Sequence, residues 1–230
     1  MKILLLCDDF YHPGDVPRDG LEPIAAKLGA EMDVVFDGKE FDASTLTRYD
    51  AVVLSKCDHV RRGDKRPWKT PAVQCAFVQY VQNGGGLVVT HSGTVADGGS
   101  DTSVLDMLIG CRFAFHPNNC PVTHAVIKPH PVTSGVGMFC EVDEHYQIEI
   151  LQSDIDILAA SYSEAQGDPS KYEKEPYFNA PACIAPCAYV RTQNKGRICV
   201  LTPGHVLEVW RNPDFAQMLE NAIRWCAAAK

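Results

Sequence analysis

Short apolar runs without alternation recur along the first half of the chain, separated by stretches with helical spacing. Ile3 to Cys7 is the first run, and Arg18 to Leu28 follows with Ile24, Ala25 and Leu28 on one face and Gly29 as a stop. Met32 to Phe36 reads as a second strand and Ala51 to Leu54 as a third. Pro71 to Gln82 has Val73, Phe77, Val78 and Val81 spaced for one buried helical face, closed by Asn83-Gly84. Leu87 to Thr90 is the fourth strand. Strands that are apolar on both faces, alternating with helices, predict an α/β fold with a mainly parallel central sheet covered on both sides. Ile3–Cys7, Ala51–Leu54, Leu87–Thr90 and Ile198–Thr202 are expected as its inner strands.

After His91 the pattern changes. Thr102 to Ile109 reads as a short helix, and Val122 to Lys128 and Ile157 to Ser161 as strands in a region rich in Pro and His. Ala182 to Arg191 and Arg197 to Thr202 flank Gln193-Asn194-Lys195-Gly196, which has hairpin chemistry. The last helix is capped by Asn212, starts on Pro213, and carries the stripe Phe215, Met218, Leu219, Ala222, Ile223 and Cys226. Residues 163 to 179 are polar and read as a long surface loop that could cover a site.

Composition narrows the function classes. The 230 residues, 46% of them hydrophobic, suffice for one core, and no linker-like stretch divides residues 1–230, so a single domain is expected. A net charge of -8 repels phosphate backbones and argues against a nucleic-acid partner. The basic cluster from Arg61 to Arg66 reads as a solvated loop. The run Ile3–Cys7 is too short for a signal peptide or a membrane span, so no membrane partner is expected. Of ten cysteines, Cys7, Cys75, Cys199 and Cys226 lie in apolar runs as core thiols do. Without a secretion signal, reduced thiols and a cytoplasmic location follow. The sequence leaves room for a homo-oligomer.

In an open parallel sheet, ligands bind beyond the carboxyl ends of the strands. Asp8, Asp9, Tyr11 and His12 follow the first strand, and Ser55 to His59 the third. His91 and Ser92 follow the fourth, and Pro203-Gly204-His205, with Glu208 three residues on, a late one. A lone histidine in such a place is usually a hydrogen-bonding residue, whereas several converging repel one another when protonated and are costly to bury together without a use. His12, His91 and His205 are therefore expected to share one pocket, with Glu144 nearby. His116 and His130 each precede a proline and read as turn residues. Asp143, Glu144 and His145 beside Tyr146 suit acid–base work, although spacing alone favours an exposed acidic turn.

Several stretches, in this order, resemble the trehalose-utilisation (ThuA-like) family: DDFYHP, GGGLVVTHSG, HPVTSGV with DEHY, and KGRICVLTPGH with VWRNPDFAQMLENAIRWCA. The resemblance covers nearly the whole chain. It implies a flavodoxin-like three-layer sandwich similar to class I glutamine amidotransferases, whose elbow presents a nucleophilic cysteine. Here GGGLVVTHSG stands at the elbow and holds no cysteine, which argues against glutamine hydrolysis. The resemblance further implies carbohydrate metabolism, with a sugar or keto-sugar of the trehalose-disaccharide or related glycoside type as small-molecule partner.

Two classes of function remain open at this point. As an enzyme, the chain would be a sugar-modifying isomerase, lyase or hydrolase. His91 and His205 would move protons, Glu144 would assist and His12 complete the set, while Asp9, Tyr11, Ser92 and Tyr146 would contact substrate. No cofactor is implied by a motif. A variant has His12, His91 and His205 holding a divalent metal, zinc by donor type. Another has Ser92 as nucleophile with His205 as base, although Thr90-His91-Ser92-Gly93 lacks the first glycine of an esterase elbow. The second class is a non-catalytic sugar-binding or regulatory protein on the same scaffold.

Overall fold

The computed structural model describes residues 1–164 and 183–229, without the Cys183 side chain. Its strands in chain order are β1 (Lys2–Leu6), β2 (Glu31–Val35), β3 (Ala51–Leu54), β4 (Gly86–Thr90), β5 (Cys111–Phe115), β6 (Cys120–Val126), β7 (Phe139–Asp143), β8 (Gln147–Ile150), β9 (Asp156–Ser163), β10 (Cys183–Gln193) and β11 (Gly196–Leu201). The helices are α1 (Asp15–Lys27), α2 (Pro71–Gln82), α3 (Ser103–Ile109), α4 (Leu207–Arg211) and α5 (Pro213–Ala227).

One nine-stranded sheet has the order β2-β1-β3-β4-β11-β10-β9-β6-β7. The pairs from β2 to β11 are parallel, and those from β11 through β7 are antiparallel. All four strands expected inside are inside. The sheet is mixed, because the chain after His91 adds four antiparallel strands to the parallel half. Residue parity explains why the central stretches of β1, β3, β4 and β11 are apolar on both faces. Ile3, Leu5, Val53, Val88 and Cys199 pack with α1, α4 and α5, while Leu4, Leu6, Val52, Leu87, Val89 and Val200 pack with Phe77 and Val81 of α2 and Leu105 and Leu108 of α3.

Helix boundaries follow their local chemistry. All six apolar stripe residues expected for α5 are buried, and Asn212 accepts from the backbone N–H of Asp214 and Phe215. Helix α1 begins at Asp15, earlier than the Arg18 expected, because Pro17 falls in the first turn, where the backbone N–H groups have no intrahelical partner. In α2 the most buried positions include Gln74 and Tyr80. Gln74 donates to the carbonyls of Lys69 and Asp101 and accepts from Leu105 N–H, which ties α2 to α3. Cys75 is consequently on the solvent side of α2, not in the core. The nine cysteines with described side chains are free. Strand β7 and the two-stranded sheet of β5 and β8 were not expected from the sequence pattern. Of the surface-loop stretch 163–179, Ser163 ends β9 and the part beyond residue 164 lies outside the described residues. Arg61, Arg62, Lys65 and Arg66 are exposed, as a solvated loop requires. Among the described residues no helix is long and apolar enough to cross a membrane.

One core position should set the acid stability. His124 in β6 is buried, stacks on Phe139 at 4.6 Å, and has no hydrogen-bond partner at either ring nitrogen among the described residues. Burial, aided by nearby His145, pushes its pKa from 6.5 down to about 3. Between these values the unfolded chain binds the proton and the folded chain does not, so stability is full above about pH 6.5 and falls as the pH is lowered. From pH 7 to 5 the loss from this group is about 2 kcal/mol. His124→Phe should remove that increment, measured as the difference in urea-unfolding free energy between pH 7 and 5 for variant and parent. Equal pH dependence in the two proteins would contradict this.

Candidate active site at the carboxyl edge of the sheet

The strands of the parallel half end in register, with Leu6 beside Leu54, Leu54 beside Val89, and Thr90 beside Leu201. The chain that follows β1, β4 and β11 therefore emerges along one edge.

The loop after β1 is organised by Asp9, which is fully buried. Its Oδ1 accepts from the backbone N–H of Tyr11 and His12 and contacts His12 Nδ1 at 2.8 Å, and its Oδ2 accepts from Cys57 N–H at 3.0 Å. Burial alone would raise the Asp9 pKa, but these bonds outweigh it and hold the carboxyl well below its usual range. Lys56, almost fully buried, donates to the carbonyls of Cys7, Asp8 and Phe36 and braces the same loop.

After β4 the backbone turns sharply. His91 has φ 43, a left-handed conformation costly for a residue with a side chain. A Cβ at Gly93 would lie 2.2 Å from the Leu54 carbonyl oxygen, so only glycine lets the turn sit against β3. His91 Nδ1 donates to the Thr202 carbonyl at 2.9 Å, and Tyr146 stacks on the imidazole at 3.9 Å between centroids. The third loop, after β11, is held from afar. Asp143 at the end of β7 accepts from the backbone N–H of Gly204 at 2.8 Å and of His205 at 2.9 Å. In a flat sheet the four strand spacings from β11 to β7 would span about 19 Å. These bonds thus show that the antiparallel half curls back over the edge, and the curl delivers the next residue, Glu144, to the histidines.

Glu144 Oε2 lies 3.2 Å from His91 Nε2, 3.2 Å from His205 Nδ1 and 3.8 Å from His12 Nε2. One ligand atom from each of His12, His91, Glu144 and His205 falls within 4.8 Å of all the others. His116 Nε2 stands 3.6 Å from the other carboxylate oxygen, Oε1. Burial would raise the Glu144 pKa, but the close imidazoles of His12, His205 and His91 hold it well below the carboxylate range. Burial would likewise lower the His12 pKa, but the hydrogen-bonded Asp9 carboxylate and the Glu144 carboxylate 3.8 Å away push it up to about 9. The cluster opens into a pocket of about 550 Å³ whose walls include Tyr11, Asp97, Arg112, Phe113, His116 and Tyr146.

The structure thus brings together His12, His91, His205 and Glu144, with Tyr11 and Tyr146 on the pocket wall. Asp9 and Ser92, expected to contact substrate, do not line the pocket. Asp9 is buried behind His12, and Ser92 is 1% exposed with no hydrogen-bond partner for its Oγ among the described residues, His205 included. This removes the geometry a serine nucleophile needs. Glu208 is exposed on α4, so the carboxylate of the site is Glu144. The Asp143–Tyr146 stretch is not an exposed acidic turn, because Asp143 is buried on backbone donors. His145 points elsewhere, to Ser161 Oγ. His130 does shape a turn, accepting from Val132 N–H. His116, expected as a turn residue, reaches the site and stacks on Tyr146. Its one sequence signal is proximity to an aromatic, Phe113, and that is too weak to find it.

The sequence model of the trehalose-utilisation family matches residues 5–226. The chain belongs to the ThuA family. Solved ThuA-like structures share its fold. A ThuA-like protein from Bacteroides uniformis ATCC 8492 superposes with TM-score 0.73 at 21% identity, over 98% of this chain and 91% of that one. One from Parabacteroides merdae ATCC 43184 gives 0.70 at 19%, over 100% and 91%. A cytoplasmic protein from Salmonella typhimurium LT2 gives 0.65 at 18%, over 100% and 98%. No curated protein matches the chain.

Proposed function

We propose that this ThuA family chain is an enzyme acting on a sugar or keto-sugar, of the trehalose-disaccharide or related glycoside type, by acid–base chemistry at His12, His91, Glu144 and His205. The observation that carries the reading is the meeting of these four side chains within 4.8 Å beside a pocket of about 550 Å³. That volume is in the range of small-molecule sites. The family description, trehalose utilisation, supports a sugar. So do the pocket walls, where the aromatic rings of Tyr11 and Phe113 suit the C–H surface of a pyranose and Asp97, Arg112 and His116 suit its hydroxyls. Beside a keto group, one imidazole can take the proton from the adjacent carbon while a protonated neighbour donates to the carbonyl oxygen, and the pair then returns the protons. Isomerases and lyases both use such a pair.

The strand order β2-β1-β3-β4-β11 supports a flavodoxin-like, class I glutamine amidotransferase-like scaffold, with the left-handed His91 at the place of the elbow. A cytoplasmic location is supported by the free cysteines and by the cytoplasmic Salmonella relative.

The test is incubation with a keto-trehalose in D2O, followed by NMR and mass spectrometry. Turnover or deuterium uptake beside the keto group is expected, falling at least a hundredfold in His91→Asn. Asparagine is chosen because it tolerates the left-handed backbone. Binding without turnover or exchange would replace this reading with that of a non-catalytic sugar-binding protein.

A further inference from the structure

We propose that His12, His91, His205 and Glu144 bind a divalent transition metal of the zinc class, with a coordination position left open to the pocket. The open position is given a use by the sugar reading; the metal itself stands on the geometry of the four donors.

Tautomers are the first ground. The Thr202 carbonyl can only accept, so His91 Nδ1 carries a proton and Nε2 is the ring nitrogen turned toward Glu144 and available to a cation there. Asp9 Oδ1 likewise engages His12 Nδ1 at 2.8 Å, so Nε2 is the ring nitrogen turned toward Glu144, where a bound cation would displace its proton and take its lone pair. His205 Nδ1 is buried with no hydrogen-bond partner, 3.2 Å from the same carboxylate oxygen. Three ring nitrogens and one carboxylate oxygen thus face a common point. A metal-ligating histidine characteristically gives its other N–H to a carboxylate or a backbone carbonyl, and here one histidine does each.

Distances are the second ground. Metal–nitrogen and metal–oxygen bonds of about 2.0–2.1 Å place the donors of a five-coordinate ion, four from the protein and one from the pocket, about 2.9–3.6 Å apart. The separations from Glu144 Oε2 are 3.2, 3.2 and 3.8 Å. His116 beside Oε1 leaves Oε2 free to ligate alone.

Charge is the third. A dication balances the Glu144 and Asp9 carboxylates, whereas three imidazoliums would have to sit with ring centroids only 5.0, 5.2 and 5.6 Å apart. Three imidazoles with one carboxylate suit zinc and neighbouring divalent transition metals better than calcium or magnesium. His205 and His12 retain side-chain exposure of 24% and 12%, which places the open side of the cluster toward the pocket. There a hydroxyl or carbonyl oxygen of the substrate could complete the coordination.

A competing donor set, Asp9, Cys57 and His59, lies nearby and is fully buried. The experiment separates the two. The full-length protein is stripped with chelator and titrated with Zn²⁺ and Co²⁺, and bound metal is counted by mass spectrometry. One equivalent is expected, with a rise in Tm and a Co²⁺ visible spectrum free of thiolate charge-transfer bands. His12→Ala and Glu144→Gln should weaken binding at least a hundredfold. Asp9→Asn, which keeps volume and removes charge behind His12, should weaken it ten- to a hundredfold. Cys57→Ser should leave it unchanged.

Substoichiometric binding with no change in Tm overturns the proposal, as does loss of metal in Cys57→Ser with retention in His12→Ala. If the stripped protein turns over keto-trehalose at the full rate, the metal proposal falls and the sugar reading stands. One tightly bound equivalent with no sugar turnover has the opposite meaning.

Discussion

Glu144→Gln is expected to lower kcat/KM on the keto-sugar by about 10² to 10⁴, with the fold retained. The size of the effect follows from where the carboxylate sits. Its Oε2 is the one atom that approaches His12, His91 and His205 together, at 3.8, 3.2 and 3.2 Å. Glutamine has the same shape but no charge, and half of its head is a donor. It can hold neither a protonated imidazole nor a cation at that point. Because the side chain still fills its space, circular dichroism and the Tm of the metal-stripped protein should change little. Kinetics on the purified variant check this, and activity within tenfold of the parent would remove Glu144 from the chemistry.

Asp143→Ala is expected to cost about 3–5 kcal/mol of folding stability. Asp143 is buried and accepts from two backbone N–H groups, at Gly204 and His205. Truncation removes two charge-assisted bonds and leaves both donors without a partner in a place water reaches poorly. Asp143→Asn keeps one carbonyl acceptor and should cost about half as much. Urea unfolding measures both. The same change should release the 204–205 loop and displace His205, so activity is expected to fall beyond what unfolded protein accounts for. A loss below about 1 kcal/mol in Asp143→Ala would mean that the loop is held by something else.

The parallel half of the fold was legible because its determinants are local. Ile3–Cys7, Ala51–Leu54, Leu87–Thr90 and Ile198–Thr202 are apolar at every position apart from the terminal Thr90 and Thr202, as only a strand covered on both faces tolerates. The cap and stripe of α5 were equally plain, since Asn212-Pro213 carries its own start signal, whereas the predicted stripe of α2 was right at Phe77 and Val81 and missed Gln74 and Tyr80. Strand β7 and the β5–β8 pair were not legible. Their strands are four or five residues long, carry charged or amide side chains, and are stabilised by partners distant in sequence.

For the site, the sequence by itself determined that His12, His91 and His205 follow strands. A parallel sheet brings such residues to one edge whatever the details of packing. Only the tertiary structure decided which carboxylate joins them. Glu144 and Glu208 were both near candidate histidines in sequence, and Glu144 reaches the cluster because the antiparallel half curls over the edge and Asp143 pins it there. The same curl turned Asp143 from a surface acid into a buried anchor and carried His116 to the far carboxylate oxygen. Asp9, adjacent in sequence to residues on the pocket wall, was placed behind His12 by its bonds to the 57 backbone. Strand ends are set by local hydrophobic pattern, whereas curl and loop anchoring arise from hydrogen bonds between residues about sixty positions apart, and no local pattern records them.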